Sequence, residues 1–310
     1  MMNKYWLLPL LFFTSCVHVQ DTIAPELSLA VDKNHIQNLA SAFTPLSEEE
    51  KQEDWAKEYL IGLRFAQNLD LYRAISTFKR SEVLADRYPE RLRELSYFMI
   101  YCYYLGDRYQ DAVTSFERSD LLNVDLSFPP HHDLLLVLLK SYMQVGHKER
   151  SEKIHQLLQK NYPETYQDVQ ISLALQTGNL PALATFSKEK PYLNSLLKNF
   201  DTKKKSVAKA QCYNALLPGA GYFYLGQHKT AMTTFLFNTL FIYTSCHFFL
   251  DGNIAAGILS SFFEFGWYLG SIYGAGESAK YYNERLYEKS ACKLAEEHRH
   301  TPTFMLRYGF

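Results

Sequence analysis

Apolar residues recur at helical spacing along most of this chain, and their pattern changes near residue 200. From Trp55 to about residue 190 they fall on one face of each run, and short breaks carrying Gly, Asp or Pro separate the runs. That period predicts one amphipathic helix after another, each turning back on the last. Beyond Asn214 the apolar residues spread around the whole helix. Thr230–Leu250 and Ile254–Gly274 are nearly continuous apolar runs, parted only by Asp251-Gly252-Asn253. As helices, runs of this length reach about 31 Å, close to the thickness of a hydrocarbon core. The pattern predicts an all-α protein: a helical solenoid over 47–200, then a hydrophobic antiparallel helical hairpin over 201–290 that associates with a membrane and spans it. A polar tail over 291–310 follows.

The hairpin carries polar groups that plain lipid would not tolerate. Asn238 and His247 lie in the first run and Glu264 in the second, so these three are candidate intramembrane polar residues facing protein or a polar path. Gly257, Ser261, Glu264, Tyr268, Ser271 and Ala275 recur at spacings of three and four, a stripe of small or polar groups on one helix face. Gly266, Gly270 and Gly274 form a second stripe, GxxxGxxxG. It offers close helix approach within the hairpin or between copies of the chain.

The helix pairs before the hairpin share residues at corresponding places. Gly62, Phe65, Ala74 and Phe78 mark the first. Aligning Ala74 with Ala112 brings Phe78 onto Phe116 and sets Tyr103 opposite Phe65; Ala182 and Phe186 repeat the pair. Leu134–Gly146 and Glu149–Tyr162 make a further, less regular pair, and Pro89, Pro129 and Pro163 fall near unit ends. This resembles the tetratricopeptide-repeat family, whose units of about 34 residues stack into a superhelix. The resemblance implies a surface that binds a protein or peptide partner. Ser47-Glu48-Glu49-Glu50 ahead of it has the layout of a capping box and predicts a helix start.

At the amino end, Lys4, the apolar run Tyr5–Phe13 and Thr14-Ser15-Cys16 follow the order of a signal peptide. Small residues before a cysteine resemble the lipobox of bacterial lipoproteins, which implies a signal peptide over 1–16 and lipidation at Cys16. Residues 17–46 are weakly patterned and read as a flexible tether. Leu217-Pro218-Gly219-Ala220-Gly221, with Tyr224 and Gly226, resembles a PGxGQxYxG element that precedes helix pairs in small bacterial membrane domains. There Pro218, Gly219, Gly221, Tyr224 and Gly226 permit a re-entrant turn. The last residues, Phe304, Leu306, Tyr308 and Phe310, alternate like a strand; one strand makes no barrel beside a helical body.

Composition narrows the function. The formal charge of −1 offers no surplus to neutralise phosphates, so nucleic acid is not an expected partner. Aromatics reach 15%, which suits helix packing and membrane interfaces. The five cysteines include no CxxC pair, and no metal, cofactor or catalytic motif is expected. His131-His132-Asp133 opens a helix, where Asp133 reads as a first-turn acid. Lysines flank the hairpin at Lys203-Lys204-Lys205, Lys209, Lys280, Lys289 and Lys293, with Arg285 among them, and fit anionic headgroups. They favour an inside location for the hairpin ends, whereas an export signal puts the repeats in the periplasm; the ordered signal layout weighs towards export. The expectation is a non-enzymatic, membrane-anchored scaffold of the bacterial cell envelope that binds or assembles envelope proteins. The alternative is a small transport or channel component built from oligomerised hairpins.

Overall fold

The breaks between apolar runs act as helix caps. The side chain of Asp70 accepts a hydrogen bond from the Arg73 amide, and Asn179 does the same for Ala182. Pro89, Pro163 and Pro302 stand at helix starts, where a missing N–H costs nothing. Gly146 ends its helix at φ +83°.

The computed structural model describes residues 19–27 and 33–310. Cys16 and the apolar run before it lie outside the described residues. The helices are α1 (Lys33–Gln37), α2 (Asp54–Gln67), α3 (Leu71–Leu84), α4 (Pro89–Leu105), α5 (Tyr109–Glu117), α6 (His131–Val145), α7 (Lys148–Asn161), α8 (Pro163–Thr177), α9 (Leu180–Phe186), α10 (Leu193–Lys203), α11 (Val207–Leu216), α12 (Ala220–Tyr224), α13 (His228–Leu250), α14 (Ile254–Glu297) and α15 (Pro302–Met305). The protein is all-α. Among the described residues no strand forms, and Ser41 and Gly309 make an isolated parallel bridge.

The chain divides into two compact units, one of Ser28–Leu173 with Leu294–Phe310, the other of Met1–Leu27 with Ala174–Lys293. In the first, the helix-pair unit, helices α2 to α7 each pack on the next in sequence. Trp55, Phe78, Tyr97, Phe98, Tyr101 and Tyr142 are fully buried in its core. Small residues sit where helices cross: Ala74 and Ala112 are fully buried, and a Cβ on Gly62 would lie 2.6 Å from the Phe78 ring.

The Ser47 capping box closes as its spacing predicts. The Glu50 amide donates to Ser47 Oγ at 3.1 Å and the Ser47 amide to Glu50 Oε2 at 2.7 Å. The turn it starts is nevertheless only a 3-10 turn, Glu50–Gln52; Glu53 is extended, and α2 begins at Asp54. Arg91 of α4 holds the Glu50 carboxylate from Nε at 2.9 Å and Nη2 at 3.1 Å. The turn is thus tied to another helix instead of continuing into its own. Arg91 also binds Glu94 at 2.7 Å, and Tyr59 Oη donates to Glu94.

The region read as a tether packs wherever it is described. Ile36 and Leu46 are buried in the helix-pair unit, and Phe43 meets Tyr97, Phe98 and Phe128. In the other unit, Val19 packs with Val207, Ala210 and Ala279, while the Ala24 and Glu26 amides donate to Glu284 and Glu288. Anchors spaced this sparsely leave no period in the sequence, and each is buried by elements far along the chain.

In the second, apolar unit, α13 and α14 cover the two runs expected to span a membrane. Among the described residues, no helix is long and apolar enough to cross one. Asn238, His247, Glu264 and the interspersed Ser and Thr residues dilute each run, which corrects the expectation of a span.

Candidate functional site

The glycine turn is organised by a residue to which the sequence drew no attention. Asn214, at the end of α11, is fully buried. Its Oδ1 accepts from the Gly219 amide at 2.8 Å and the Gly221 amide at 3.3 Å, and its Nδ2 donates to Ser271 Oγ of α14 at 3.0 Å. All its polar capacity but one N–H goes into fixing this turn. Gly219 has φ +91°, and a Cβ there would overlap the Ala231 carbonyl oxygen; one on Gly221 would overlap the Ala210 carbonyl oxygen. Both glycines are demanded by close backbone approach. Tyr222 packs with Ala231 and Ala275. Pro218 precedes the turn, Tyr224 Oη accepts from the Ser206 amide at 3.3 Å, and Gly226 turns the chain into α13 at φ +77°.

Contacts between α13 and α14 run in reverse sequence order. Phe249 lies against Gly257, Ser245 Oγ donates to Ser260 Oγ at 2.8 Å, and Phe237 packs against Trp267. The buried side of α13 is Ala231, Thr234, Asn238 and Ser245. On α14, Gly257, Ser271 and Ala275 are buried, and Ser261, Glu264 and Tyr268 are half-buried. This is the stripe drawn from spacing alone.

Asn238 is fully buried; Nδ2 donates to the Thr234 carbonyl at 2.6 Å, and Oδ1 has no hydrogen-bond partner among the described residues. Both Glu264 carboxylate oxygens are likewise buried without one among the described residues. His247 is not with them. It is exposed and pairs with Asp251 at 2.8 Å across one helical turn. Gly266 and Gly270 face open space, whereas a Cβ on Gly274 would lie 2.5 Å from Tyr222 Oη.

The rest of this helix surface is apolar and uncovered. On α13, Met232, Leu236, Leu240 and Tyr243 are each more than half exposed, and Leu250 is 88% exposed; on α14, so are Ile254, Ile258, Leu259 and Phe263, with Phe262 at 75%. Side chains of this size and number, left uncovered along both helices, are the mark of an interaction site.

A second arrangement joins residues far apart in sequence. Asp133 at the start of α6 is fully buried. Its Oδ1 pairs with His132 Nδ1 at 2.7 Å, and His132 Nε2 meets Thr165 Oγ1 at 2.9 Å. Its Oδ2 accepts from the Arg307 and Tyr308 amides, both at 2.8 Å. The first-turn position is as read from sequence, but the carboxylate is consumed in holding three parts of the helix-pair unit together. The adjacent pair His132-Asp133 was the only visible signal. Among the described residues, no group of His, Cys, Asp and Glu could hold a metal ion. Compared with protein families, with curated proteins and with solved structures, the chain matches none.

Proposed function

We propose that the protein is a non-enzymatic, membrane-associated scaffold of the bacterial cell envelope. The helices α13 and α14 form an antiparallel hairpin held in lipid, and the helix pairs form a tetratricopeptide-like module for a protein partner. The observation that carries this reading is the uncovered apolar surface of α13 and the first half of α14. In water each such Leu or Phe forgoes roughly 1.5–3 kcal/mol of burial, so a surface of this kind is kept for lipid or protein. The positions of the cations support lipid. Lys203, Lys204, Lys209, Arg285 and Lys289 are exposed at the ends of the segment, not within it, where anionic headgroups would meet them. The hairpin need not cross the bilayer to be held there.

The test is flotation of the full chain carrying Cys16→Ser, which removes any contribution from a lipidated cysteine. The protein should rise with vesicles, more with anionic lipid than with neutral lipid. Replacing Leu236 and Phe262 by Ser should reduce the floating fraction. A chain that stays at the bottom with both vesicle types sinks the membrane half of the proposal. Mild crosslinking that yields no protein partner under several conditions counts against the scaffold half.

A further inference from the structure

The helix-pair unit already holds a peptide, which belongs to the same chain. After α15 the segment Leu306–Phe310 leaves helical geometry and lies extended in the unit, with Leu306 and Phe310 buried. Its main chain is gripped at successive points. The Arg307 and Tyr308 amides donate to Asp133 Oδ2 at 2.8 Å each, the Gly309 amide donates to the Ala40 carbonyl at 3.0 Å, and Gln67 Nε2 donates to the Phe310 carbonyl at 3.4 Å. The Phe310 ring packs 4.9 Å from Tyr101 and 5.7 Å from Phe98, centroid to centroid. Gly309 passes so close to the chain that a Cβ would lie 2.9 Å from both the Ile36 and Leu39 carbonyl oxygens.

These contacts amount to a binding specification. The carboxylate reads two consecutive amides, which excludes proline but not much else. The close passage demands glycine, and the aromatic pocket next to it demands a large ring. The Arg307 side chain is exposed, with its guanidinium 5.8 Å from the centre of the Tyr162 ring, so that position is only loosely specified. Main-chain bonds with pockets for particular side chains are the usual way a domain captures an extended peptide.

We infer that this groove is a peptide-binding site for an extended segment of a partner protein with the pattern Leu-X-X-Gly-aromatic, X being any residue but proline, and that residues 306–310 are its resident ligand in cis. The partner must displace a competitor that, being tethered, acts at an effective concentration of about millimolar. The site therefore fills only where the partner's segment is abundant or is presented beside another contact. This deepens the partner half of the scaffold reading and rests on it.

Two full-length variants open the site without touching its walls. Gly309→Ala expels the segment by steric overlap, and Phe310→Ala removes its anchor. The probe is the peptide Leu-Arg-Tyr-Gly-Phe, acetylated and amidated, carrying a fluorophore, and read by anisotropy. Both variants should bind it at least about tenfold more tightly than the unaltered chain. The peptide Leu-Arg-Tyr-Ala-Phe should not compete, and the correct peptide should raise the Tm of Phe310→Ala towards that of the unaltered chain. The proposal is overturned if both variants fold, by circular dichroism, and bind no peptide. Equal binding by altered and unaltered chains also overturns it, because the peptide would then sit elsewhere. So does a dimer that fills the groove with the segment of a second copy and takes up no free peptide. Flotation with vesicles is unaffected by any of these results, and a crosslinked partner with no peptide binding would leave the scaffold reading standing with its contact elsewhere on the helix pairs.

Discussion

At the scale of single residues, the position with most to lose is Asn214. Its carboxamide pairs the amides of Gly219 and Gly221 and gives a hydrogen bond to Ser271, all in a buried place. Asn214→Ala leaves those donors without water or partner. An unsatisfied buried group costs about 1–3 kcal/mol, so urea unfolding should show a loss of roughly 2–4 kcal/mol for the variant. Asn214→Asp keeps an acceptor for both amides but loses the donor to Ser271 and buries a carboxyl group, so it too should be less stable than the unaltered chain. If Asn214→Ala matches the unaltered chain, the turn is held by something other than this side chain. The sequence displays the glycines of the turn and hides the asparagine, because Pro-Gly-Ala-Gly is a local signature while one Asn in a helix has none. Glu264 and Asn238 were visible for the opposite reason: a polar group inside an apolar run stands out whatever its neighbours are.

At the scale of elements, what can be read is what repeats locally. The stripe from Gly257 to Ala275 has a period of three and four, and it is the side of α14 that faces Ser245 and the glycine turn. The second stripe has a period too, yet Gly266 and Gly270 face open space; spacing reveals a face but not which face has a neighbour. The capping box shows a related limit. Its four residues predict the cap but not that the turn ends at an extended Glu53, or that Arg91, about forty residues on, binds its Glu50. That ion pair has a pH signature. The hydrogen bonds from Arg91 hold the Glu50 carboxyl below its ordinary value of 4.5. A lowered folded-state pKa adds stability above the ordinary value, and this is lost as pH falls through the lowered one. Glu50→Gln keeps the cap but removes the charge, so it should cost roughly 1 kcal/mol at pH 7. The difference from the unaltered chain should shrink as pH drops below about 4.5 and vanish in stronger acid. Glu94, which burial pushes the other way, shares Arg91 with Glu50 and is raised further by the Glu50 charge, so the comparison is repeated in a Glu94→Gln background to separate the two. A gap that stays constant from pH 7 to strong acid would mean that the Glu50 charge contributes nothing.

At the scale of the whole molecule, contacts across long stretches of sequence were out of reach. Asp133 clasps the main chain at Arg307 and Tyr308, and Tyr287 Oη donates to the Leu175 carbonyl. No periodicity links such residues, so segments that fold into the units read as a polar tail and a loose tether, although the alternation of Leu306, Tyr308 and Phe310 marked an extended stretch. The two units also differ in what they leave uncovered, and native cysteines can report the difference. Cys246 is exposed on α13 among the apolar side chains, whereas Cys102 is buried in the helix-pair unit, where desolvation pushes its thiol up. Asp120, with 62% of its side chain exposed in the helix-pair unit, accepts a reporter as Asp120→Cys. If α13 rests in lipid, adding vesicles should slow labelling of Cys246 by a water-soluble maleimide by about tenfold or more, because lipid shields the side chain from the reagent. Labelling at Asp120→Cys should keep its rate, and Cys102 should stay unlabelled throughout, which guards against unfolding as the cause. Were Cys246 to label as fast with vesicles as without, lipid would not be what covers α13. Its exposed Leu and Phe side chains would then have to meet protein, and the same labelling repeated with a crosslinked partner in place would show where.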